Sequence, residues 1–231
     1  MTGPKAVMAD WLALHGVTAQ ACRAVLARAA SVAAKVADPD WAQDPGDTWR
    51  QVADFLTPFF PAGDGLAQRT WTLTRTDFSG TDRVSARAFT LHDDGTGRPV
   101  VVFWPKGRLS DLTTLAHEFG HAAQIVASGG AAMPPALREV CACLAEHLVL
   151  KGLAVKDPET VRRARRWRAG RGLRQRQELW EALDSPDATY CYDWNYPLAR
   201  AVVAGMADLP PADLARLFAG RMALAGNPPR K

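Results

Sequence analysis

Two histidines four residues apart, with a glutamate beside the first and a glycine before the second, constrain this chain more than any other stretch. They lie in TLAHEFGHAAQ, Thr114 to Gln124. On a helix, positions i and i+4 share a face, so the imidazoles of His117 and His121 can turn toward one ion. Glu118 can reach a water on that ion rather than the ion itself. This H-E-x-x-H pattern predicts a site where zinc acidifies a water and a carboxylate takes its proton during attack on a carbonyl. An ordinary amphipathic helix carrying two histidines would spell the same five letters. Gly120 argues for the metal, because a glycine inside a helix costs helix propensity and asks for a reason, such as close approach of another backbone.

A third ligand has to come from elsewhere. The next apolar segment, REVCACLAEHL, offers Glu139 and Glu146, seven residues apart on one helix face with Cys143 between them. Antiparallel helices joined by a loop over Gly129–Ala136 bring Glu139 beside the histidines. Glu146 then lies farther along, as a partner that orients a ligand or as a plain surface carboxylate. Cys143 is soft enough to bind zinc and stays open as the alternative to Glu139. His147 points about a quarter-turn aside.

The rest of the chain reads as a mostly helical α+β protein. Helical spacing runs from about Lys5 to Ala37, a turn-rich stretch covers Asp38 to Trp49, and TWRQVADFLTPFF reads as an amphipathic helix stopped before Pro61. From Arg69, RTWTLTRTD alternates like a half-exposed strand; RVSARAFTLH (Arg83 to His92) is a second strand and PVVVFW (Pro99 to Trp104) a more buried third. The zinc helix is expected to be N-capped by Ser110 or Asp111 and to end at Gly129-Gly130. Helices follow over Leu137–Leu150, the arginine-rich stretch, Tyr190–Ala207 and Pro211–Ala225. No repeat or linker is evident, so one domain over 1–231 is expected: N-terminal helices to residue 68, the small sheet over 69–105, and the zinc-site and C-terminal helices after it.

The composition, 48% hydrophobic and 23% charged, is ordinary for a globular protein. No run of about 18 apolar residues suggests a membrane span, and the first residues lack the layout of a signal peptide. A cytoplasmic location is the expectation. Four cysteines, Cys141 and Cys143 only one residue apart, suit reduced thiols better than a disulfide framework.

These motifs resemble the M3 family of zinc metallopeptidases, which includes thimet oligopeptidase and oligoendopeptidase F. DLTTLAHEFGH (Asp111 to His121) and EVCACLAE (Glu139 to Glu146) match its two zinc helices. The resemblance implies a zincin-like (gluzincin) core, with the three-stranded sheet packed on the H-E-x-x-H helix. It implies one zinc per chain on His117, His121 and Glu139, with Glu118 as general base. SARAFTLH resembles the family strand that lies along a bound peptide, which implies substrate contacts at Ala86, Arg87, Ala88 and Phe89; Arg87 replaces a usual glycine. YCYDWNYP resembles the tyrosine-rich segment that supplies a donor to the oxyanion, a role that falls on Tyr192 with Tyr190 the fallback. A family histidine expected just before that segment is missing from ELWEALDSPDAT, where Trp180 lies near its position. The family's members are far longer, and the resemblance covers roughly residues 69 to 205.

Eight arginines crowd RRARRWRAGRGLRQR, Arg162 to Arg176. They read as a solvated helix with stems packed on Trp167, or as a face for an acidic peptide; no nucleic-acid motif accompanies them, so nucleic acid is not the expected partner. The expected activity is zinc-dependent hydrolysis of a peptide or an exposed protein segment. The alternative is an inactive zinc scaffold that holds a partner through its basic face; oligomeric state is open.

Overall fold

The computed structural model describes residues 6–28, 37–61, 63–79, 88–93, 96–206 and 208–224. Along the chain run α1 (Met8–His15), α2 (Ala19–Arg28), α3 (Pro45–Leu56), α4 (Leu66–Leu73), β1 (Arg75–Asp77), β2 (Phe89–Asp93) and β3 (Arg98–Val102). Then come α5 (Leu109–Ser128), α6 (Pro135–Ala154), α7 (Pro158–Arg171), α8 (Leu173–Ala182), α9 (Asn195–Val203) and α10 (Pro211–Phe218). The molecule is mainly helical with one three-stranded sheet of order β1-β3-β2. Central β3 pairs in parallel with β1 and antiparallel with β2, with Thr90 opposite Val101. Val100 and Val101 are buried, as expected of the middle strand.

Several elements differ from their expected form. The strand read from Arg69 is a helix, α4, as far as Leu73, and only Arg75–Asp77 is extended. Its alternating Thr, Trp and Leu suggested a strand, but Leu66, Ala67 and Thr70 are buried at helical spacing where α4 packs on α5. Tertiary burial outweighed the local preference of those residues for strand. Of the second expected strand, β2 is the described part; Arg83–Arg87 fall outside the described residues. The arginine-rich helix is two helices, α7 and α8, separated at Gly172. The helix expected from Tyr190 starts later, as a 3-10 turn over Tyr192–Trp194 that leads into α9.

The two 20-residue helices α5 and α6 form the centre. The residue pairs they bring together, His117 with Glu146 and His121 with Glu139, show that they run antiparallel. The start of α5 is built differently from expectation. Arg108, not Ser110 or Asp111, occupies the cap position, and Asp111 one turn in accepts the backbone N–H groups of Lys106, Gly107 and Arg108 at 2.7, 2.8 and 3.2 Å. Ser110 N–H donates to Asp38 at 3.0 Å, so the turn-rich segment after α2 is a collar around this helix end. At the other end Gly129 adopts a left-handed conformation (φ 62°), as a helix stop requires.

The main core gathers α3, α5, α6 and the sheet around Leu112, Leu115, Phe119, Leu144 and Leu148, all fully buried. Each such side chain contributes roughly 2 kcal/mol of burial. A second cluster joins α1, α2, α8 and α9 through Trp11, Leu179, Trp194 and Leu198. Among the described residues no helix is long and apolar enough to cross a membrane.

Candidate metal centre

Close helix packing makes the site. A Cβ on Gly120 would stand 2.6 Å from the Ala142 Cα and 2.9 Å from the Cys141 carbonyl oxygen, so only glycine lets α5 and α6 approach this far. That approach brings His117, His121 and Glu139 together, with one ligand atom from each within 4.8 Å of the others. Glu139 Oε2 is 3.2 Å from His117 Nε2, and Glu139 Oε1 is 3.6 Å from His121 Nε2. Glu139 is 1% exposed, yet its Oε2 lacks a hydrogen-bond partner among the described residues. A buried carboxylate oxygen and two imidazole nitrogens facing one another are a costly grouping unless a cation satisfies them. The donor set, two nitrogens and a carboxylate, suits zinc with a position left open.

His117 is held from its other ring nitrogen. Nδ1 lies 2.7 Å from Glu146 Oε1, and Glu146 in turn pairs with Arg168 at 2.5 Å. Held at Nδ1 by that carboxylate, the ring is oriented with Nε2 toward Glu139 and His121. Cys143, weighed as an alternative to Glu139, is buried beside His117 and Glu146 and groups with them within 4.8 Å.

Two of the three ligands rest in the form that binds a metal. At His117 burial opposes the charge, but hydrogen bonding to Cys143, Glu139 and Glu146 outweighs it and raises the pKa well above 6.5, so an incoming cation would displace a proton there. Burial takes the His121 imidazole down to about 3, leaving it neutral. Burial opposes charge on Glu139, but contact with His117, the nearby imidazoles and the Tyr192 hydroxyl outweigh it and keep the carboxylate ionised. The same contest at Glu146 is won chiefly by Arg168. Glu118 differs: burial is the largest influence and raises its pKa, against the His117 charge and a 2.6 Å hydrogen bond from the Thr90 hydroxyl to its Oε2. A buried carboxyl with a raised pKa is suited to exchanging a proton.

The tyrosines separate into different places. Tyr192 donates to Glu139 Oε1 at 2.7 Å and is 42% exposed. Tyr190 accepts from Asn195 at 2.9 Å and stacks edge-on with Trp194, on the second core cluster. Tyr196 has its ring 6.2 Å from that of His117, and burial pushes its hydroxyl up to about 12. A cleft of about 450 Å³ opens over His117 and Glu118, and Tyr196 and Ala88 line it. Of the expected substrate strand, Phe89 begins β2, an edge of the sheet, and packs on Trp104; Ala86 and Arg87 fall outside the described residues. Trp180 lies on α8 at the second cluster, under the guanidinium of Arg23.

No protein-family model matches the sequence, and no curated protein matches it. In three dimensions the chain is similar to a candidate oligoendopeptidase F from Bacillus anthracis str. Ames, with a TM-score of 0.51 and 13% identity over 97% of this chain and 45% of that one. A second structure of a candidate oligoendopeptidase F gives 0.50 and 13% over 95% and 41%. The likeness is one of fold. This chain spans less than half the length of either structure.

Four residues at the site had no part in the sequence reading. Thr90 alternates with Phe89 and Leu91 along β2, so period two places it on the other face, toward α5. Tyr196 stands four residues after Tyr192, the spacing of one helix face. Arg168 was one of eight arginines with nothing local to single it out. Arg200 lies outside that run, and only the tertiary fold carries it to the cleft.

Proposed function

We propose that the chain is a zinc-dependent peptidase that hydrolyses peptide bonds in a peptide or an exposed protein segment. The observation that carries this reading is the convergence of His117, His121 and Glu139 around a buried carboxylate oxygen without a hydrogen-bond partner among the described residues, with His117 and Glu118 lining a cleft. Bound there, zinc would supply Lewis-acid chemistry, acidifying a water and polarising the substrate carbonyl. His117, His121 and Glu139 would hold it.

Glu118 accepts the proton of the attacking water and returns it to the leaving amine, while the Thr90 hydroxyl fixes the orientation of its carboxylate. Glu146 and Arg168 keep the His117 ring oriented with Nε2 toward Glu139 and His121. Tyr192 and Tyr196 are the candidate donors to the oxyanion. Tyr192 holds Glu139 and would have to leave it to serve, whereas Tyr196 already lines the cleft. A donor aimed at that developing charge contributes on the order of 3 kcal/mol in the transition state. An extended substrate would lie along the β2 edge, pairing by backbone hydrogen bonds.

The test is metal content of the purified protein, read with chelator-sensitive cleavage of a quenched mixed-peptide library. The wild type should carry about one zinc per chain, as a single ligand set requires, and cleave. Glu139→Ala should lose the metal, and Glu118→Gln should keep it while turnover falls by roughly 10²-fold or more. A wild type with neither metal nor cleavage would refute the proposal.

A further inference from the structure

The wall of the cleft opposite the sheet is cationic, and most of its counter-charge is already committed. Arg168, Arg174 and Arg200 line it, brought from three different helices, α7, α8 and α9. Arg168 is paired with Glu146, which also holds His117. Asp111, on the same cleft, is occupied by three backbone N–H groups. Arg174 meets Glu178 from Nε at 3.2 Å, and its side chain is 82% exposed, so the pairing is weak.

Arg200 is the informative member. Its Nη1 donates to the neutral Gln175 amide at 3.0 Å, and its guanidinium lies 5.7 Å over the ring of Tyr196. Among the described residues no carboxylate is paired with it. Gly172, at the break between α7 and α8, leaves it room, since a Cβ there would stand 3.1 Å from Nη1. The Arg200 charge is felt by Glu146, and Asp193 lines the same cleft, but no carboxylate is within ion-pair distance of it among the described residues. A partly buried guanidinium fixed by an amide and a ring face is preorganised to take one. The step from His117 to the Tyr196 ring is 6.2 Å and from that ring to Arg200 5.7 Å. Together they span no more than about four extended residues at roughly 3.3 Å each.

From this geometry we infer that Arg200, assisted by Arg174, forms a subsite for a carboxylate of the peptide substrate, within about four residues of the bond that lies over His117. The inference rests on the peptidase reading for its substrate class. It also relocates the role of the arginine-rich stretch: most of the run faces solvent, and the anion meets Arg174 of that run together with an arginine 24 residues beyond its end.

Binding of labelled octapeptides to the metal-loaded Glu118→Gln protein, followed by fluorescence anisotropy, tests the subsite without turnover. One series has blocked ends and a single Glu walked along an Ala/Gly frame; a second has Gln in its place; a third keeps Gln and frees the C-terminal carboxylate. The Glu peptide at the best position should bind at least about tenfold more tightly than its Gln twin, and the advantage should shrink with salt. Adding Arg200→Gln should bring that ratio close to one. Arg174→Gln, at an exposed position that cannot endanger the fold, should reduce it by about half or more. A free-terminus peptide that gains in place of the internal Glu identifies the terminal carboxylate as the source. Equal binding of all three series, or no binding of any, overturns the inference. Metal content and library cleavage by the wild type decide the peptidase reading separately.

Discussion

Gly120 shows how much a single hydrogen in place of a methyl can decide. The Ala142 backbone lies where the Cβ of any other residue at 120 would go, and Ala145 stands 3.0 Å from the same point. Gly120→Ala therefore cannot be absorbed by moving one flexible side chain. The helices must separate, at a cost of about 1–3 kcal/mol by the usual penalty of overpacking. Because His117 and His121 flank this position on α5 and Glu139 lies across on α6, the expected result is a loss of zinc affinity larger than the loss of stability. Parallel metal titration and denaturant unfolding check this; equal or smaller loss of affinity would count against helix spacing as what sets the ligand geometry. The requirement was visible in the sequence as an oddly placed glycine, though not which backbone demanded it.

At the scale of elements, the beginning of α5 depends on Asp111 more than on a conventional cap. Three N–H groups converge on one of its oxygens, and replacement by Ala leaves them without that acceptor near a buried helix end. Asp111→Ala should cost about 1–2 kcal/mol in urea unfolding, while a change at the neighbouring Ser110 side chain, whose contact with Asp38 is through its backbone, should cost little. The long helices α5 and α6 were legible because their apolar residues bury one another on nearly every side and a glycine pair stops the first. α4 was not legible. Thr70, Trp71, Thr72, Leu73 and Thr74 alternate as a strand would, and only the packing of Leu66, Ala67 and Thr70 on α5 makes them helical. The contacts that complete the site, from Thr90, Arg168 and Tyr196, join segments far apart in sequence, and no local pattern encodes such pairings.

Across the whole molecule, one imidazole ties α1 to the start of α6, beside the apolar cluster that Met8 and Trp11 share with Ala136. His15 Nδ1 donates to the Trp11 carbonyl at 2.7 Å, and Nε2 accepts the Ala136 N–H at 3.0 Å near the start of α6. The bond from Ala136 needs the neutral ring, and burial holds its pKa below 6.5 in spite of the Trp11 contact, which favours the charged form. The unfolded chain then binds this proton more readily than the folded one. The contribution of His15 is full above about pH 6.5 and is lost as pH falls from there toward the folded pKa. The difference in unfolding free energy between wild type and His15→Leu should narrow between pH 7.5 and 5; a constant difference would show that folding leaves the pKa of the ring unchanged. The same segment reaches the other end of the chain, where Trp11 donates to Asn195 at 2.9 Å and Met8 to the Ala188 carbonyl at 2.9 Å. Helical proteins usually fold fast because their contacts are local. Here the second core cannot close until the chain's beginning finds a helix formed almost two hundred residues later, so the last and slowest step of refolding should be the docking of α1, reported by the burial of Trp11 against Trp194.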